Sequence, residues 1–228
     1  MNDALALEIV NKIFKNVFDH DNNYSLDEFA FDINLPKQVI DSTTGEITWA
    51  DNISSGKFIT NDNMIKRDNE EGWMLPKRDI NNLQELIDIW NQINLMTTER
   101  NYNSENVVKS DTIYRSSNVY RSTECSDVKN LVYCDSCGNS EFLLASKSSG
   151  SCNYCIRAMD SVNCSNSYNV ICSDKIIDSL FVQDCRDLYE CMFCSHIVEK
   201  KYCIANMQFE REEYLEIKKQ IIEWILNS

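Results

Sequence analysis

Small and apolar side chains return at every third position from Val107 to Asn206, beginning Val107, Ser110, Ile113, Ser116, Val119, Ser122, Cys125 and ending Cys194, Ile197, Lys200, Cys203, Asn206. Of the 34 positions in this series 32 are Ser, Cys, Ala, Val, Ile or Leu, and Lys200 is its sole charge. The other two registers of the same stretch hold 21 charged residues, so the pattern marks an inside and an outside. A period of three fits neither a helix at 3.6 nor a plain strand at two. It predicts a coiling chain of short strands and tight corners, with successive coils stacked so that backbone ladders satisfy the amides.

The inward residues are mostly Ser, Cys and Val, so the interior is thin. A coil of about 12 residues with two facing sheets suits that volume better than a wider one of about 18, and gives roughly eight coils. Asn118, Asp127, Asn163, Asn166, Asn169, Asp178, Asp184 and Asp187 recur outside the column, where they tolerate left-handed corners. The fold class expected is mainly β: a narrow β-solenoid over residues 104–206, an α+β N-terminal region over 1–103, and a capping helix within 207–228.

Outside the repeat the period changes. Ala4 to Phe18 carries Leu5, Ile9, Ile13 and Val17 at helical spacing, and Asn81 to Leu95 carries Leu83, Leu86, Ile87, Trp90 and Ile93, with Asn81 or Asn82 as cap. Residues 44–49 and 57–60 read as short strands around turns. Glu210 to Leu226 places Tyr214, Ile217, Ile221, Trp224 and Ile225 along one side of a helix. These stripes read first as core packing and as covers for the solenoid's unpaired edges, with docking of a partner subunit as the alternative.

Composition narrows the function classes. A formal net charge of −14 over 228 residues opposes general electrostatic collection of nucleic acid or of anionic membrane. There is no run of 18 apolar residues, and the first fifteen residues form an amphipathic pattern with charges rather than an export signal, so the expected place is the producing cell's cytoplasm or a particle assembled there. Ten of the eleven cysteines fall on the inward register, Cys172 being the exception. Without an export signal their default state is the thiol; ladder disulfides between coils require an oxidising compartment.

Zinc is the sharpest competing chemistry. Cys134-x-x-Cys137 and Cys152-x-x-Cys155 have the spacing of a four-thiolate ribbon, and Cys191-x-x-Cys194 adds a third pair. A cysteine-rich column of period three generates such pairs by itself, so packing as small buried groups is favoured. A zinc-stabilised binding module using Cys134, Cys137, Cys152 and Cys155 is kept as the alternative. Asp19, Asp21, Asn23 and Glu28 resemble a calcium loop that is about two residues short and lacks the central glycine, which favours a solvated acidic turn. Thiol redox catalysis needs an exposed activated cysteine, and His20 and His196 adjoin no nucleophile motif. The chain therefore reads as non-enzymatic, without a cofactor, and as a body that meets protein partners.

The Asn103 to Asn106 entry, the Ser/Cys repeats, and the exit Lys200-Lys201-Tyr202-Cys203-Ile204-Ala205-Asn206 followed by Glu212-Glu213-Tyr214 resemble cysteine-repeat proteins of candidate-phylum bacteria and large tailed phages. The likeness covers roughly residues 100–220, and it implies a phage virion component but supplies no activity. Relatives often carry a zinc ribbon ahead of the repeats, and no such segment is evident here. The coil geometry is also similar to narrow insect antifreeze β-solenoids, but the Thr-x-Thr ladder that binds ice in those is missing from these registers.

Overall fold

The computed structural model describes residues 2–14, 26–54, 56–70 and 72–227. Leu131 pairs with Leu143 and Leu143 with Cys155, so parallel strands recur with a step of twelve residues. The same step joins Val107 to Val119 near the start and Arg186 to Val198 near the end. The result is a β-solenoid of about nine turns with coils of about 12 residues. Within it, every third residue from Ser110 to Cys194 is buried. Val107 and Ile197 are half-buried at the two ends, and Lys200 and Asn206 are exposed.

Each triplet makes the same bonds. The residue after an inward one donates its N–H to an inward carbonyl eleven residues ahead, as Ser117 does to Val128 at 3.1 Å. The residue before an inward one donates to a carbonyl thirteen back, as Asp127 does to Tyr114 at 3.0 Å. That preceding residue has a positive φ at every triplet from Asn103 to Ala205. All eight expected Asn and Asp corners are among these residues. So are Phe142, Ala145, Tyr154, Arg157 and Phe181, for which the conformation is costly, so the coil imposes the corner and Asn or Asp only eases it. Four such corners fall in each coil, and each coil contributes a strand to each of two parallel ladders, as Ser117–Tyr120 beside Lys129–Val132 and Asp111–Tyr114 beside Thr123–Ser126.

The flanking elements carry the labels α1 (Asn2–Phe14), β1 (Lys37–Ile40), β2 (Ile47–Ala50), β3 (Phe58–Thr60), α2 (Asn61–Asn69), α3 (Leu83–Ile93), β4 (Met96–Thr98) and α4 (Arg211–Asn227). β1 and β2 form an antiparallel pair, and β3 lies parallel to β4, whose chain leads into the first coil. Arg100 clamps this module to the solenoid: its guanidinium reaches Asp51 at 2.7 Å and Asp111 at 3.0 Å, while its own N–H donates to Asp111 at 2.8 Å. Asp111 is fully buried, and it also accepts the Asp51 N–H.

Neither α1 nor α4 covers an end edge. Val132, Leu144, Ile156, Leu180 and Met192 stack along one flank, and Ala6, Ile9, Val10, Ile13 and Phe14 of α1 join them in one buried cluster with Tyr214, Ile222 and Ile225 of α4. The expected capping helix is thus a flank helix, because stepping by twelve from Val108 through Ile204 meets only apolar residues on that side. At the C-terminal end the ladder is closed by a short hairpin, with Ile204 opposite Met207. The Asn206 side-chain amide accepts the Ser195 N–H at 3.0 Å and donates to the Ser195 carbonyl at 2.9 Å, in place of a further coil.

Candidate functional site: the thiol column and its surroundings

Two backbone bonds per triplet leave the inward N–H without a backbone acceptor beyond the first coil, where Ile113 donates to the Arg100 carbonyl at 3.0 Å. Serine supplies one. Ser116 Oγ accepts the Val128 N–H at 3.2 Å, Ser140 Oγ that of Cys152 at 3.1 Å, and Ser179 Oγ that of Cys191 at 3.0 Å, each one coil on. The same hydroxyl donates to the carbonyl two residues back, as Ser179 does to Ile177 at 2.8 Å. Cysteine repeats the donor half of the motif: Cys125 Sγ donates to the Thr123 carbonyl at 3.1 Å and faces the Cys137 amide one coil on. Cys155 faces the Ser167 amide and Cys185 the Ile197 amide in the same way. These thiols are small buried groups, as expected, and they share with serine the bond to the carbonyl two residues back.

The cysteines gather in trios of one same-coil and one next-coil neighbour. Cys137 neighbours Cys125 and Cys134, and Cys152 neighbours Cys155 and Cys164, while the thiols themselves donate to backbone carbonyls, as Cys137 does to that of Asp135 at 3.4 Å. The outer thiols are pushed up, Cys125 and Cys155 by the neighbouring Cys137 and Cys152 and then by burial, Cys134 by burial first. Burial is the largest cause that raises Cys185 and Cys203, followed among the raising causes by the neighbouring Cys194. All eleven cysteines are free, and only Cys172 is exposed.

The zinc quartet is not brought together. Cys134 and Cys137 are neighbours in one coil, Cys152 and Cys155 in another, and the coil Ser140 to Ser149 lies between them. Among the described residues no group of three or more His, Cys, Asp or Glu side chains is placed to hold a metal ion. Of the calcium candidates Asp19, Asp21 and Asn23 lie outside the described residues, as does His20, and Glu28 is exposed.

Two polar features remain. Ser195 Oγ lies 2.6 Å from His196 Nδ1, and His196 Nε2 lies 3.7 Å from Asp184, so the residue types of a hydrolytic triad meet on the surface. The His196 side chain is 75% exposed there, and an acyl-transfer site instead needs a dry, shaped cavity with oxyanion donors. A cavity of about 560 Å³ opens where the N-terminal module meets the first coil, lined by Glu46, Thr60, Asp62, Glu99, Asn101 and Ser104. Burial pushes the Glu99 carboxyl up there, and Asn101 Oδ1 is buried without a partner.

Among the described residues no helix is long and apolar enough to cross a membrane. No family model, no curated protein and no solved structure matches this chain.

Proposed function

We propose that this chain is a non-enzymatic structural and protein-docking body, a stiff β-solenoid spacer belonging to the particle of a large tailed phage. The observation that carries the reading is the filled interior: with every third residue from Ser110 to Cys194 buried, the axis of the rod is occupied by its own side chains. A substrate site needs concave room with converging polar groups, and a rod of this width offers none along its axis. Uninterrupted parallel ladders favour stiffness, and the two flank helices fasten one side. The assignment to a phage particle rests on the entry and exit motifs around Asn103 and Lys200.

Quantitative mass spectrometry of particles purified from a producing culture, set against the soluble lysate, tests this. The reading expects a fixed number of copies per particle. Recovery in the soluble fraction alone contradicts the virion role.

A further inference from the structure

Helix α3 is fastened at both ends and bare along its side. Asn82 Oδ1 accepts the Glu85 N–H at 2.9 Å, and the Glu85 carboxylate accepts the Asn81 N–H at 3.0 Å, so the start is capped. At the far end Lys57 donates to the Asn91 carbonyl at 2.8 Å and Arg67 to that of Gln92 at 3.2 Å. None of its residues is buried. Leu83, Leu86, Ile87 and Trp90, spaced as one face of a helix, are 71%, 46%, 41% and 54% exposed. An isolated helix of eleven residues is marginal in water, and its stability ordinarily comes from packing that apolar face. Here nothing among the described residues buries it.

We propose that this stripe is an isologous dimer interface whose occupant is the same stripe of a second copy. Area and charge both select that occupant. Ile65, Met74, Leu75 and Ile80 are exposed beside the stripe in sequence, and at about 200 Å² for a large side chain the eight residues present on the order of 800 Å². A stable protein interface takes about that much from each partner. The stretch 57–96 holds five basic and seven acidic residues, a net of −2, against −14 for the whole chain. It is therefore the part of this acidic protein that meets a copy of itself with least repulsion. Glu85 and Asp88 fall on the helix face opposite the stripe, so a two-fold pairing buries no like charges. An antiparallel pairing also sets each helix's N-terminus against the other's C-terminus.

Sedimentation velocity on the full chain, from micromolar concentration to a hundredfold above it and in low and molar salt, tests the pairing. The wild-type protein is expected to show a species of twice the 26.5 kDa chain mass that persists in high salt. Leu86→Asp with Trp90→Asp is expected to abolish it without changing far-UV circular dichroism, since neither residue is buried. Val198→Asp, at another exposed apolar site, should leave it intact. A monomer at every concentration, a dimer that survives the double substitution, or one that dissolves in high salt overturns the proposal.

Discussion

Ser122 Oγ accepts the N–H of Cys134 at 3.0 Å, one coil further along the rod, and donates its own proton to the Tyr120 carbonyl at 3.0 Å. Both residues are fully buried, so water cannot replace either bond. Ser122→Ala strands one inward amide and is expected to cost about 1–3 kcal/mol. Urea unfolding midpoints measure the difference. Equal midpoints for Ser122→Ala and wild type would remove the acceptor role from the account.

Thiol chemistry follows from the column. Cys172 stands on a corner facing outward and the other ten cysteines are buried. Treatment of the native protein with a small alkylating reagent should add one label, at Cys172, with the remaining ten appearing together on denaturation. Several labels under native conditions, mapped by mass spectrometry to the inward register, would count against the buried column.

Asp41 ties the N-terminal module together. It is fully buried, and burial alone would raise its carboxyl; bonds from Thr43, Thr60 and Asn63 outweigh that and hold it well below the ordinary 3.8. A depressed folded-state value means that the stabilisation is complete above pH 3.8 and is lost as pH falls toward the folded value. Asp41→Asn should therefore be less stable than wild type at neutral pH, and the gap should narrow below pH 4. Thermal melts of both proteins across that range provide the check; a gap independent of pH argues against the carboxylate as the source.

Tyr214 anchors α4 on the flank, fully buried, and its hydroxyl has no hydrogen-bond partner. Burial pushes that phenol far up. Removing the hydroxyl while keeping the ring removes a desolvation cost, so Tyr214→Phe should be neutral or more stable, by up to about 1 kcal/mol. A clear loss of melting temperature would mean that the hydroxyl has a partner in solution.

Much of this architecture was legible because burial in a narrow coil admits one residue in three, and charge cannot enter it. The series from Ser110 to Cys194 states that rule directly. The step of twelve was also present, in Val108, Tyr120, Val132, Leu144, Ile156, Tyr168, Leu180, Met192 and Ile204, and it both sets the coil length and predicts the flank on which α1 and α4 pack. A three-residue register averages over the four triplets of a coil and hides it. The acceptor role of Ser was hidden for another reason: it depends on which amide the ladder leaves unpaired, a property of backbone geometry. The α3 stripe read as core because amphipathicity reports that a face wants burial without saying what buries it.

The most direct test of the central claim is the spacing of cross-strand contacts in solution. Nuclear Overhauser effects between backbone protons should join residues twelve apart on successive coils, running Val119 to Leu131 to Leu143 to Cys155. Contacts at a spacing of eighteen, or inward cysteine amides that exchange with solvent as fast as a free peptide's, would contradict the narrow solenoid.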